Sequence, residues 1–130
     1  MFKQVDHIGI AVKNIDEASR VYKLLNMTIE NEEVVENQQV KTLHIKAGNT
    51  NIELLEPLNE ASPIYKFIEK NGEGLHHIAF EVDNIEKAIN LLRESGYTFT
   101  FDKPVIGAGN KKVIFIHPKS TNHTLIELIS

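Results

Sequence analysis

Residues 5–18 read VDHIGIAVKNIDEA and residues 75–88 read LHHIAFEVDNIEKA. Set one over the other, with His7 against His77, six of the fourteen positions are identical: His7/His77, Ile8/Ile78, Val12/Val82, Asn14/Asn84, Ile15/Ile85 and Ala18/Ala88. The ends of the two halves match as well, since TNIELLEP at 50–57 resembles TNHTLIELIS at 121–130 once three extra residues are allowed, which pairs Glu53 with Glu127. Each half begins on a strand-like stretch with a His and ends on one with a Glu. Internal repetition of this kind is the mark of a duplicated module.

The hydrophobic pattern supplies the elements between. Gln4–Val12 alternates as a strand with Ile8, Ile10 and Val12 on one face and His7, Gly9 and Ala11 on the other. Asp16–Leu25 has helical spacing through Ala18, Val21, Tyr22 and Leu25, with Asn14 or Asp16 as its cap. Strands are expected over Ile29–Val35, Val40–Ala47 and Asn51–Leu55. Ser62 and Pro63 open a short linker helix over 62–71 that ends before Gly72. The second half repeats the order: a strand over Leu75–Val82, a helix over Ile85–Ser95 stopped by Gly96, and strands over Thr98–Phe101, Val113–His117 and Leu125–Ile129. Gly107, Ala108 and Gly109 mark a mobile or tight loop. The expected class is α+β, one domain over 1–130 made of two fused βαβββ modules, about 1–58 and 74–130, whose mixed sheet curls around a metal site.

Composition narrows the function. A 130-residue chain is the size of one ordinary domain. With no Cys, any metal must be held by His, carboxylate, amide or water. The net charge of −4 and the lack of any Lys/Arg cluster disfavour nucleic acid. No apolar run reaches the length of a membrane span, and the chain starts without a signal-peptide pattern, so a cytoplasmic location is expected.

Strand parity singles out four residues. Glu53 and Glu127 are each flanked by Ile and Leu that point the other way, and His7 and His77 lie opposite the even-numbered apolar positions of their strands. If that shared face is the concave one, two imidazoles and two carboxylates converge as an N2O2 set suited to one divalent ion such as Co, Mn, Zn or Ni. Singly, a strand His or Glu is more often structural or solvated; the coincidence in both halves is what carries the set. His76 has the parity of the apolar face, so His77 is the expected ligand. His44, His117 and His123 have no matched partner, His44 standing where the repeat has Phe115, and are read as surface or supporting residues; Glu56 and Glu81 are read as solvated.

With these residues in place the whole chain resembles the vicinal oxygen chelate superfamily, and within it the methylmalonyl-CoA epimerase family. The matching stretches are DHIGIAV at 6–12, IELLEPL at 52–58, SPIYKFIEKNGEGLHHIAFEVDNI at 62–85, FIHPKST at 115–121 and LIEL at 125–128. The resemblance implies metal ligands at His7, Glu53, His77 and Glu127, and interconversion of the 2R and 2S forms of methylmalonyl-CoA through a metal-stabilised enolate. Inversion needs a base on each face of that enolate. Glu127 and Glu53 are the matched candidates, while Lys41 stands where some epimerases have a Glu proposed as one base. Some members carry Gln in place of Glu53. Lys111, Lys112 and Lys119 are candidates for CoA phosphates, and relatives are commonly homodimers. The alternatives are a glyoxalase I-type lyase acting on a glutathione hemithioacetal, whose family often has Arg where this chain has Ala11, and a metal-free drug-binding protein. Iron-dependent aromatic-ring dioxygenases of the superfamily use three protein ligands, against four here.

Overall fold

Each repeated segment folds the same way, because the same capping and burial signals recur. The structure is a computed structural model that describes all 130 residues. Its strands are β1 (Phe2–Ala11), β2 (Ile29–Val35), β3 (Val40–Ala47), β4 (Thr50–Pro57), β5 (Gly74–Val82), β6 (Val105–Ile106), β7 (Lys112–Ile116) and β8 (Ile126–Ile129). The helices are α1 (Ile15–Ala18), α2 (Arg20–Leu24), α3 (Pro63–Asn71) and α4 (Ile85–Glu94). Asn14 caps α1 by accepting from the Glu17 amide at 2.9 Å, and its repeat partner Asn84 caps α4 by accepting from the Lys87 amide at 2.9 Å. Ser62 accepts from the Ile64 amide to start α3, with Pro63 in its first turn, and Gly72 at φ +79° ends it.

The chain divides into two compact units, His7–His76 and Met1–Asp6 with His77–Ser130. In the first, the strand order is β2-β3-β4-β1; β1 and β4 are parallel, and the other pairs antiparallel. In the second the order is β5-β8-β7-β6, with β5 and β8 parallel and the rest antiparallel. Both units are therefore α+β modules of mixed strand direction, in the βαβββ order the repeat implied.

One sheet face in each unit is apolar and covered by helix. Val12, Leu43, Ile45 and Leu54 pack against Ile15 in the first, and Val82, Ile114, Ile116 and Leu128 against Ile85, Ala88 and Ile89 in the second. The opposite face carries His7, His44 and Glu53 in the first unit, and His77 and Glu127 beside a smaller apolar cluster of Ala79, Val113 and Ile129 in the second. No helix is long and apolar enough to cross a membrane.

Two local expectations are corrected. The helix expected over Asp16–Leu25 is interrupted at Ser19, whose hydroxyl bonds the Asp16 carbonyl at 3.1 Å and competes with the helical pattern. Ala18 before that interruption and Tyr22 beyond it pack on the core, but Val21 and Leu25 are exposed. The strand expected over Thr98–Phe101 is only an isolated bridge between Phe99 and Ile116; the strand pairing β7 is β6, after Pro104. The Gly-rich stretch forms a tight turn, with Gly109 at φ +68°.

Candidate metal centre

β-Ladder register decides which side chains meet. In the first unit Gly9 of β1 lies beside Glu53 of β4, and His44 of β3 lies directly opposite Glu53. Residues opposite in an antiparallel pair share a face, so His44 and Glu53 project together. His7 Nε2 lies 3.4 Å from Glu53 Oε2, and His44 Nδ1 lies 3.8 Å from the same oxygen. In the second unit Ala79 of β5 lies beside Glu127 of β8, Phe115 of β7 is opposite Glu127, and His77 Nε2 lies 3.7 Å from Glu127 Oε1. Each unit thus holds the imidazole of its first strand against the carboxylate of its last, and the first unit adds His44.

All four are buried, with exposures of 4% for His7, 6% for Glu53, 8% for His77 and 5% for Glu127. Buried carboxylates are costly unless a cation or donor compensates them. The donor set fits a divalent ion. Ligand bonds of about 2.0–2.2 Å place neighbouring ligand atoms about 3.0–3.5 Å apart, which the His7–Glu53 separation meets and the His77–Glu127 separation approaches within a few tenths of an ångström.

The small residues Gly9 and Ala79 beside the two carboxylates are a feature that sequence reasoning passed over. Both are buried, and Ala79 packs with Val113 and Ile129. Their repeat alignment was the available signal.

The remaining residues sort by contact. Lys41 Nζ sits 3.5 Å from Glu56 and 3.6 Å from Glu32, and the Glu56 charge beside it raises its pKa above the usual lysine value. A lysine so held stays cationic, which counts against its use as a base. Glu56 is not simply solvated, as expected from sequence: its other oxygen accepts from the Ile15 amide at 2.8 Å and anchors the start of α1. Glu81 is likewise engaged, with Gln4 at 2.8 Å and Lys3 at 3.6 Å. His76 lies edge-on to Phe67 at 4.7 Å, and burial pushes its pKa down to about 4, so it is a neutral packing residue. His117 accepts from the Lys119 amide at a turn, and His123 is exposed. Lys111 and Lys112 already face Asp6 at 3.6 Å and Glu86 at 2.7 Å.

Residues 6–115 match the family model described as Glyoxalase/Bleomycin resistance protein/Dioxygenase superfamily. Over 126 residues the chain is 40% identical to the uncharacterized protein YqjC of Bacillus subtilis, covering 96% of this chain and 90% of that one. It is 39% identical to an ethylmalonyl-CoA/methylmalonyl-CoA epimerase of Cereibacter sphaeroides, covering 98% of each. Among solved structures, it superposes with a TM-score of 0.95 and 32% identity on a Streptomyces coelicolor methylmalonyl-CoA epimerase variant in complex with 2-nitronate-propionyl-CoA, covering 99% of this chain and 94% of that one.

Proposed function

We propose that this chain, which belongs to the Glyoxalase/Bleomycin resistance protein/Dioxygenase superfamily, is a metal-dependent epimerase that inverts methylmalonyl-CoA at the carbon between its thioester and its carboxylate. The observation that carries the reading is the buried His–Glu pair present in both units, in a chain whose relatives include epimerases named for that substrate. Those relatives make the chain an epimerase-like isomerase. The first relative above bears no assigned activity, so the substrate is the part to be tested.

In this reading His7, Glu53, His77 and Glu127 together hold one divalent ion, Co, Mn, Zn or Ni. The bound ion supplies Lewis-acid stabilisation of negative charge developing on the substrate oxygens. The imidazoles serve as neutral ligands through Nε2, the atom each turns to its carboxylate. Glu127 and Glu53 take and return the α-proton, one for each face of the substrate, as groups within reach of a bound acyl chain. Lys41 has no part in that transfer, since its two carboxylate neighbours keep it charged.

The same reading makes acyl-CoA the partner and the protein a cytoplasmic homodimer. Against a glyoxalase I role, the position where that family often has Arg is Ala11, fully buried on β1 with no room for a long cation.

The deciding experiment runs two assays on metal-loaded protein: exchange of the methylmalonyl-CoA α-proton with solvent deuterium, and conversion of a methylglyoxal–glutathione hemithioacetal. Exchange without hemithioacetal turnover is expected. Hemithioacetal turnover alone would make the protein a lyase, and activity in neither would leave the substrate assignment wrong.

A further inference from the structure

The two carboxylates of the duplicated frame stand opposite unlike side chains. Register places His44 across from Glu53 and Phe115 across from Glu127. Phe115 meets His77 edge-on at 5.5 Å between ring centroids and has no polar atom to offer Glu127. His44 has two. Its Nδ1 lies 3.8 Å from Glu53 Oε2, and its Nε2 lies 3.3 Å from Thr42 Oγ1.

Thr42 is 1% exposed, and its hydroxyl, 3.3 Å from the Glu33 carbonyl on the neighbouring strand, can give its one hydrogen either to that carbonyl or to His44. Of the two neutral tautomers of His44, only the one carrying its hydrogen on Nδ1 aims a donor rather than a lone pair at Glu53. In that tautomer Nε2 takes the single Thr42 hydroxyl hydrogen, for which the Glu33 carbonyl, also 3.3 Å from Oγ1, is the competing acceptor. At 3.8 Å the Nδ1–Glu53 contact is electrostatic rather than a hydrogen bond. The terminal torsion of a glutamate is broad, and a small rotation closes the gap.

We infer that His44 is a positioning residue: it holds Glu53 in the orientation that offers its carboxylate to the ion, and it makes the first half-site differ in kind from the second. The inference rests on the metal-dependent reading above. Partners that orient a ligand from behind change metal affinity by about 10- to 100-fold when removed.

Metal-free protein is titrated with Mn2+ alone, following the free-ion signal by electron paramagnetic resonance, for wild type, His44→Phe and His44→Asn. His44→Phe copies the pattern of the second half. It is expected to weaken Mn2+ binding about 10- to 100-fold, while His44→Asn, whose amide can donate from near the Nδ1 position, stays within about threefold of wild type. Melting of the metal-free variants by circular dichroism is expected to be unchanged. Wild-type affinity in His44→Phe, or equal weakening in both variants, overturns the role. So does a loss of affinity that appears only with a lowered melting temperature, because that is a folding defect. A wild-type protein that takes up no Mn2+ overturns the metal-dependent reading itself and the role of His44 with it.

Discussion

The first unit and the second unit repeat one plan and depart from it in opposite places. The outer face is the same in kind: Ile15 and Ile85 stand at equivalent positions, 2% and 0% exposed, each the first residue of a helix capped by an Asn. The cover above it differs. α4 is one continuous helix, whereas its counterpart breaks at Ser19 and leaves Val21, Leu24 and Leu25 exposed. The inner face repeats the His and the Glu but not the residue opposite the Glu, which is His44 in one and Phe115 in the other. The two units keep the His–Glu pair and the core packing and vary the residue opposite the carboxylate.

The comparison breaks hardest at the carboxylates. Glu127→Gln is expected to keep part of the metal, because an amide oxygen can still ligate, and to lose α-proton exchange by about 10²- to 10⁴-fold. Glu53→Gln is expected to lose exchange on the opposite face, read by following each enantiomer of the substrate separately. Full metal with near-normal exchange in Glu127→Gln would end the two-carboxylate mechanism. Normal exchange in Glu53→Gln alone would pass the second proton transfer to water.

Smaller effects should come from the shared outer core. Ile85→Ala and Ile15→Ala each delete a fully packed side chain and are expected to cost about 2–5 kcal/mol in urea unfolding. The Ile85 loss should be the larger, because the broken helical segment that begins at Ile15 can close more of the void. Equal losses would show that the interruption at Ser19 does not loosen the first unit. The smallest effect is expected at Lys41. Lys41→Ala removes a cation lying between Glu32 and Glu56 and should leave exchange within about twofold, since such pairs contribute little. A loss comparable to that of Glu127→Gln would reinstate Lys41 as a base.

The sequence by itself determined the duplication, the module order and the two His–Glu pairs. These follow from short-range pattern: alternation with period two fixes which side of a strand His7, Glu53, His77 and Glu127 take, and Asn14, Asn84 and Ser62 mark helix starts by chemistry that acts within one turn. Tertiary structure alone decided the rest. Whether Thr98–Phe101 or Val105–Ile106 pairs with β7 depends on ladder bonds between residues distant in sequence, which a local reading does not see. Glu56 looks like any strand-end carboxylate until α1 is brought over it and its oxygen meets the Ile15 amide. His44 had no signal beyond its place in the repeat, because a histidine acquires a role from the atoms its two nitrogens face, and only the β3–β4 register sets one of them toward Glu53 and the other toward Thr42.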